Sequence, residues 1–283
     1  MGVLVCAPRE KLWMMHRDKP PCAFDCPFLS PCAPCTGGGR VALCCRQLRE
    51  CLCLGANGME IISRMPALPA VCGMCFSSCG GMLYQLSSEA DCVHALNAKD
   101  GTLLYSAPVG VFPRSMRLSP SGKSLLCAGG ASNESLLLKT TDLSVMSRVE
   151  TPSPCLLADF WAGGLVLVCA AESEGIQTVV YTLGLGGLRE VAQTAGLPCA
   201  LCVCPDGKSA LLSTHTEMLK MDLSNGNVQW RSAQWALCMR AECRQNHALL
   251  SDLPDGSVWL VNHQRPRHKR LLACFEDSQA CFV

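Results

Sequence analysis

Short runs of apolar residues alternate with turn-forming residues along the whole chain. After Gly207 comes the apolar run SALLST, then a polar break, then MLKMDL, then a turn that contains Asn225-Gly226, and then VQW. An Asn-Gly pair tolerates the positive φ angles of a two-residue hairpin, and Pro-Asp-Gly has a similar effect one hairpin earlier. The pattern predicts successive antiparallel hairpins with no helix between them.

The hairpin pattern repeats about every 40 residues. PCALCVCPDGK, from Pro198, aligns without gaps on PRSMRLSPSGK, from Pro113. The same frame fits PAVCGMCFSSCGG from residue 69, PCLLADFWAGG from 154, LCMRAECRQN from 237 and, one residue shorter, PCAPCTGGGR from 31. Repeats therefore start near residues 31, 71, 113, 154, 198, 237 and 280. Their spacing is that of one four-stranded propeller blade, so we predict seven blades.

The two ends of the chain complement each other. QACFV, residues 279–283, supplies a single first strand, and residues 1–29 supply the later strands, with GVLVCA and EKLWMMHRD as the second and third. Joining the ends completes the seventh blade and leaves no open sheet edge, which would invite aggregation. We predict an all-β fold in which residues 1–283 form one domain, a seven-bladed β-propeller of four-stranded antiparallel blades.

The Pro-Asp-Gly-Lys frame of residues 198–208 resembles that of the YVTN or YncE-like seven-bladed β-propellers, and more loosely that of lactonase-type propellers. The resemblance covers nearly the whole chain and rests on turn and strand residues. It implies a fold, and propellers carry unrelated functions.

Charge and hydropathy narrow the classes of partner. The net charge is +1, with a pI near 7.4, so no overall field favours nucleic acid or acidic membranes. The N-terminus has only a six-residue apolar run, too short for a secretory signal, and the apolar run of residues 163–171 is far below the roughly 20 residues that span a bilayer. We expect a cytoplasmic monomer that binds a protein or a small molecule.

The chain has 23 cysteines, a high count. In a small secreted chain they would indicate a disulfide framework, but without a signal segment we expect reduced thiols that pack as small apolar residues. Second strands carry several that we expect in the core, namely Cys6, Cys44, Cys45, Cys127 and Cys169.

The propeller resemblance implies that the first strand of each blade lines a central channel. The second position of the repeat then predicts a ring at one mouth: Cys32, Cys72, Arg114, Cys155, Cys199, Cys238 and Cys281. Three residues further on, a second tier contains Cys35, Cys75, Arg117, Ala158, Cys202 and Ala241. These two sets are the candidate ligand-binding residues.

Two interpretations of the cysteine tiers stay open. The first interpretation is a metal or redox site, because cysteine thiolates bind zinc, copper(I) and iron-sulfur clusters. Pairs such as Cys199 and Cys202 have the spacing of metal ligands, and Arg114 and Arg117 would lower the pKa of neighbouring thiols and favour thiolate. Against this, a duplicated blade copies a small residue, and two cysteines three apart on a strand point to opposite faces. The metal candidates are Cys35, Cys75 and Cys202; the alternative is no cofactor.

Three further features have a functional and a structural interpretation. The cluster Cys22, Cys26, Cys32 and Cys35 has no standard zinc spacing, and its first two members fall on an outer strand. The basic run at residues 263–270 matches either a phosphate contact or a solvated outer turn. Arg114 and Arg117 fit either an anion site or capping of a water-filled channel.

Hydrolytic chemistry has little support in the sequence. No histidine falls on the predicted tiers, and only Asp159 and Glu242 fall near the mouth, whereas a lactonase-type site needs converging acids, bases or metal ligands. The sequence favours a non-enzymatic propeller whose channel-mouth face binds a protein or small ligand. A thiol-ring metal or redox site and a lactonase-type hydrolase are the alternatives.

Overall fold

The apolar runs of the sequence form strands throughout the described chain. The computed structural model describes residues 2–7, 11–16, 21–25, 31–45, 48–56, 60–173, 175–274 and 279–283. These residues form seven four-stranded antiparallel sheets, which are the blades of a β-propeller. Within the same residues no helix is long and apolar enough to cross a membrane.

The chain begins with β1 (Gly2–Ala7), β2 (Lys11–His16) and β3 (Cys22–Asp25), which belong to the blade that closes the ring. Each of the next six blades consists of four consecutive strands. Blade 1 contains β4 (Pro31–Gly37), β5 (Arg40–Cys45), β6 (Glu50–Gly55) and β7 (Ile61–Pro66). Blade 2 contains β8 (Val71–Phe76), β9 (Met82–Ser87), β10 (Cys92–Asn97) and β11 (Leu103–Pro108). Blade 3 contains β12 (Ser115–Leu118), β13 (Ser124–Ala128), β14 (Glu134–Lys139) and β15 (Val145–Glu150).

The second half of the chain continues in the same order. Blade 4 contains β16 (Cys155–Trp161), β17 (Gly164–Glu172), β18 (Ile176–Gly184) and β19 (Gly187–Ala195). Blade 5 contains β20 (Pro198–Val203), β21 (Ser209–Thr214), β22 (Met218–Asp222) and β23 (Val228–Ser232), followed by a 3-10 turn at Ala233–Trp235. Blade 6 contains β24 (Arg240–Arg244), β25 (His247–Ser251), β26 (Ser257–Asn262) and β27 (Lys269–Cys274), and the chain ends with β28 (Gln279–Phe282).

The terminal strands close the ring. β28 pairs antiparallel with β1, with Leu4 opposite Cys281 and Val3 opposite Phe282, so that β28, β1, β2 and β3 form blade 7. The hydroxyl of Thr36 donates to the carbonyl of Phe282 at 2.9 Å, which ties the closing strand to blade 1. The predicted fold class, seven blades closed by the two ends of the chain, is confirmed.

The core lies between the blades. The buried apolar residues form seven clusters, and each cluster combines residues of two neighbouring blades. The five second-strand cysteines that were expected in the core are buried in these interfaces. A propeller with few aromatic residues can use cysteine in this way because a reduced thiol packs as a small apolar group.

The hairpin turns follow their sequence signals. The carboxylate of Asp206 accepts from the amides of Lys208 and Ser209, at 2.8 and 2.9 Å, and from the Ser209 hydroxyl at 2.7 Å. Gly207 has a φ of +65°, a conformation that side chains with a Cβ rarely adopt. These bonds hold the inner strand of blade 5 in register with the strand that follows it.

Candidate functional site: the central channel and its mouth

A cavity of about 780 Å³ occupies the channel at the side where the inner strands begin. All seven blades contribute to its wall. Three arginines and two acids lie in the lining, namely Arg114, Arg117, Arg240, Glu242 and Asp252. A second cavity of about 300 Å³ lies at the opposite end, and Thr36, Glu242 and Cys243 line both.

We call the strand of each blade nearest the channel its inner strand; it is the first strand of blades 1 to 6 and β28 in blade 7. In each blade, one residue of the inner strand pairs with the third residue of the strand next to it. These seven residues form what we call the middle ring: Cys35, Cys75, Arg117, Asp159, Cys202, Glu242 and Cys281. Four of the six residues predicted for the second tier lie here. The other two, Ala158 and Ala241, stand one residue before Asp159 and Glu242, which the sequence alignment placed only near the mouth.

The entry ring lies three residues before the middle ring. Of the predicted first ring, Cys72, Arg114 and Cys199 are in this position, and all three line the cavity. In blades 4 and 6 the position holds Leu156 and Met239, so that Cys155 and Cys238 fall one residue too early.

The two remaining members of the predicted ring lie in blades 7 and 1. Cys281 belongs to the middle ring, opposite Leu4. The backbone of Cys32 stands three residues before Cys35, in the entry-ring position and opposite Cys44, and its side chain is outside the described part of the structure.

The shift in register lies between the start of the repeat and the ring position. In blade 5 the middle-ring residue Cys202 is four residues after Pro198, whereas in blades 4 and 6 Asp159 and Glu242 are five residues after the aligned positions 154 and 237. A gapless alignment from the start of the repeat cannot register this extra residue. β-Bulges at Cys72 and Cys199 add an extra residue to two inner strands, and in blade 4 the bulge falls at Leu156 instead.

The five ring sulfurs that the structure describes do not converge on the channel. Cys155, Cys238 and Cys281 are fully buried in three different interblade clusters. The Cys72 thiol donates to the Pro113 carbonyl at 3.1 Å, and Cys199 to Leu197 at 3.6 Å. Among the described residues, no group of three or more histidines, cysteines or acids is arranged to hold a metal ion.

The electrostatics of four of the predicted channel cysteines favour the neutral thiol, whereas the pKa of Cys155 is lowered by a hydrogen bond from Cys169. Burial raises the pKa of Cys75 and of Cys238 to about 12, and that of Cys199 to about 11 in spite of the nearby Arg114. Burial raises the pKa of Cys35 as well. A protonated thiol is a poor metal ligand and a poor nucleophile.

Two charged members of the middle ring, Arg117 and Asp159, form an ion pair. The Arg117 guanidinium lies 3.5 Å from the Asp159 carboxylate and donates to the Leu201 carbonyl at 3.0 Å. Asp159 also accepts the amide of Val203 at 3.2 Å. Burial raises the pKa of Asp159, and Arg117 opposes that shift. Arg117 is thereby tied to the channel wall and is less available to an external anion than the predicted anion site assumed.

Glu242 and Arg240 stand two residues apart on β24 and interact electrostatically. Burial raises the pKa of Glu242, whereas Arg240 and a hydrogen bond from the Phe282 amide lower it. Arg240 donates to the carbonyls of Ala280, at 3.0 Å, and Pro34. The side chain therefore links three blades across the channel wall.

Exposed side chains surround the cavity mouth. Phe112 and Met239 line the cavity and are 61% and 48% exposed, and Arg114 is exposed beside them. Phe112 has a φ of +50°, a strained conformation for an aromatic residue, and its amide donates to the Asp91 carboxylate at 2.8 Å. The hydrogen bond to Asp91 stabilises this strained backbone conformation, in which the Phe112 side chain is exposed at the cavity mouth. Arg114 was a predicted ligand-binding residue, whereas Phe112 and Met239 were not predicted; the signal for Phe112 is an aromatic residue directly before Pro113.

The remaining sequence candidates are dispersed. Cys22 is exposed on an outer strand of blade 7, Cys35 is on the inner strand of blade 1, and Cys26 lies outside the described residues. The basic run forms an exposed turn between β26 and β27, except for His263, which is buried.

Comparison with known proteins identifies the fold. No protein-family model matches the chain, and no curated protein sequence matches it. Hydrazine synthase from Kuenenia stuttgartiensis is similar in structure, with a TM-score of 0.73, 11% identity and 89% of each chain covered. The β-propeller domain of Cps50 (Swd1) from Myceliophteria thermophila has a TM-score of 0.64 at 10% identity, covering 92% of this chain and 95% of that one.

A third similar structure is BamB from Moraxella catarrhalis, with a TM-score of 0.59, 12% identity, and coverage of 94% of this chain and 86% of that one. At these identities the similarity concerns the propeller fold alone. It is compatible with a scaffold or binding role.

Proposed function

We propose that this chain is a non-enzymatic binding protein, a cytoplasmic, monomeric propeller of the YVTN-like type, that takes its ligand at the mouth of the channel. The observation that carries the proposal is the group of exposed side chains at the cavity opening, Phe112, Arg114 and Met239. A cavity of about 780 Å³ is in the size range of small-ligand sites. Exposed apolar side chains beside an exposed cation are typical of an interaction site.

The mouth favours an occupant that combines an apolar group with a carboxylate. Phe112 and Met239 offer apolar and polarisable surface, and Arg114 offers a planar donor that matches a carboxylate. Deeper in the channel, Arg117 and Arg240 are held by Asp159 and by main-chain carbonyls, so Arg114 is the cation that meets the incoming group. A protein segment with an acidic residue next to an apolar one has this chemistry, as does a small amphipathic acid.

The cavity wall supports binding over catalysis. Among the described lining residues there is no histidine, and the acids Glu242 and Asp252 lie on the wall without a metal-holding neighbour group. A hydrolytic site needs a base within reach of a bound substrate. We therefore expect the protein to bind and release its ligand without changing it chemically.

The test is capture with the tagged full-length protein and with the variant Phe112→Ala/Arg114→Ala/Met239→Ala. Partners from the native cell extract are identified by mass spectrometry, and small acids of graded apolar length are screened by thermal shift. A matched control, Leu103→Ala/Leu104→Ala, removes two apolar side chains of similar exposure, 51% and 42%, from an outer strand.

The expected result is one partner or one class of acid that wild type and the outer-strand control bind equally and that the mouth variant binds at least tenfold more weakly. Equal binding by the mouth variant, or a loss confined to the outer-strand control, would place the interaction elsewhere and contradict the proposal.

A further inference from the structure

The turn between β26 and β27 is strongly basic. Residues 257–274 contain no aspartate or glutamate, and their exposed cationic side chains are Arg265, Arg267, Lys269 and Arg270. None of the ion pairs among the described residues includes any of them. We call residues 263–270 the basic turn. Because the whole chain has a net charge of only +1, this positive charge is a local feature of one blade.

The equivalent turns of other blades carry a carboxylate. Asp100 in blade 2, Asp142 in blade 3 and Asp222 in blade 5 each accept the main-chain amide two residues further on, at 2.8 to 2.9 Å. In blade 6 the neutral Asn262 has this role, and its Oδ1 accepts two amides of the turn at 3.0 and 3.1 Å. The repeat therefore forms such turns without positive charge, and the fold does not require the arginines of blade 6.

The backbone of the basic turn is fixed at both ends. The Asn262 amide donates to the His268 carbonyl at 2.9 Å, and the Trp230 indole N–H donates to the His263 carbonyl at 3.0 Å. The buried His263 ring has its Nε2 2.8 Å from the Gln245 carbonyl, which anchors the start of the turn to blade 6. A fixed backbone reduces the conformational entropy that the turn loses when its side chains bind a partner.

The lysine of the basic turn is already engaged by the protein. Lys269 Nζ lies over the rings of Trp235 and Trp259, 5.4 Å from each centroid, and donates to the side-chain carbonyl of Gln234. Trp235 is also buried, at 2% exposure. These indoles are therefore not the open aromatic platform on which the bases of a single-stranded nucleic acid stack. The cations that remain for a partner are Arg265, Arg267 and Arg270.

We propose that the basic turn is a second binding surface, separate from the channel mouth, and that it binds an acidic segment of a partner protein. A guanidinium group binds a carboxylate through two parallel hydrogen bonds, so closely spaced arginines match a row of aspartate or glutamate side chains. The lack of a whole-molecule positive field and the covered indoles favour a short acidic segment over a nucleic-acid strand.

The experiment measures the binding of labelled probes to the full-length protein by fluorescence anisotropy. The probes are a short glutamate-rich peptide, the same peptide with glutamine in place of each glutamate, and an oligothymidylate of the same net charge as the first. The test variant is Arg265→Gln/Arg267→Gln/Arg270→Gln. The matched control, Lys99→Gln/Lys123→Gln/Lys139→Gln, removes the same charge from exposed lysines in or beside the turns of blades 2 and 3.

The glutamate peptide should bind equally to wild type, to the lysine control and to the mouth variant Phe112→Ala/Arg114→Ala/Met239→Ala. The arginine variant should bind it at least tenfold more weakly while it keeps the urea midpoint of wild type, since its substituted side chains are exposed. The affinity should fall as salt is added, and the glutamine peptide should not bind, because charge drives the contact.

Three outcomes would overturn the proposal. Equal binding by the arginine variant and wild type would exclude the basic turn as the site, and an equal loss in the lysine control would show attraction to positive charge in general. Tighter binding of the oligothymidylate than of the glutamate peptide would make a phosphate polymer the occupant. A loss in the mouth variant would place the peptide at the channel instead, in agreement with the function proposed above.

Discussion

Removal of the Phe282 side chain should weaken the closure of the ring. Phe282 is 1% exposed and packs with Val3, Val5, Leu249 and Val258 between blades 6 and 7. Phe282→Ala leaves the backbone pairing of β28 with β1 in place, so the change isolates the packing term. Truncation of a buried Phe to Ala costs about 3–5 kcal/mol, because the apolar surface is lost and a cavity remains.

The measurement is equilibrium unfolding in urea, monitored by tryptophan fluorescence. With a slope of about 3 kcal/mol per M for a chain of this size, the expected loss lowers the midpoint by about 1 M. The matched control is Phe112→Ala at the channel mouth, where the ring is 61% exposed, and its expected effect is within about 0.5 kcal/mol.

Equal midpoints for the two phenylalanine variants would refute the reasoning, since the closing strand would then contribute no more to stability than an exposed loop. A second readout is light scattering during refolding. A loosened β28 uncovers the edge of β1, and the variant should therefore aggregate more than wild type.

Two further predictions concern the turns. Gly130 has a φ of +61°, and a Cβ there would lie 1.7 Å from the Phe112 carbonyl oxygen, so Gly130→Ala should lower the free energy of unfolding by about 3 kcal/mol. A Cβ at Gly186 would have no atom within 4 Å, so the control Gly186→Ala should change the free energy of unfolding by no more than about 0.5 kcal/mol. Equal losses in thermal or urea unfolding would contradict the loop geometry. Burial raises the pKa of Asp206, but hydrogen bonds from Ser209 and nearby amides outweigh it and the pKa is lowered. Because the folded pKa lies below the unfolded value of about 3.9, the stabilisation exists above that pH and is lost as pH falls through the folded value. Asp206→Asn should therefore be less stable than wild type at pH 6, and the difference should shrink progressively as the pH falls below about 3.9. A difference independent of pH would argue against an ionised turn.

The fold could be predicted because its determinants are local and repeated. Turn dipeptides such as Asn225-Gly226 set the positive φ angles that tight hairpins need, and the apolar runs between the turns set strand length. The same pattern of strands and turns recurs in each blade, so one ambiguous hairpin does not change the predicted number of blades. The complement between residues 279–283 and the N-terminal strands predicted the closure, since a ring must pair its last edge.

The candidate site was only partly predictable, because it depends on register. A shift of one residue turns a side chain from the channel wall into an interblade core. In blades 4 and 6 the ring residue stands five residues after the start of the repeat, one more than in blade 5, so that Cys155 and Cys238 pack between blades and Asp159 and Glu242 take the ring positions. Repetition, which made the fold easy to predict, made the cysteines look equivalent when their surroundings are not.

The sequence by itself therefore determined the seven blades, their antiparallel hairpins and their closure, because hydrophobic periodicity and turn chemistry act over a few residues. Only the tertiary structure decided which side chains meet. The pairing of Arg117 with Asp159 and the hydrogen bond that holds Phe112 beside Asp91 join residues of neighbouring blades or separate loops. Such contacts depend on how one sheet faces the next, and that information resides in interblade packing and in no single repeat.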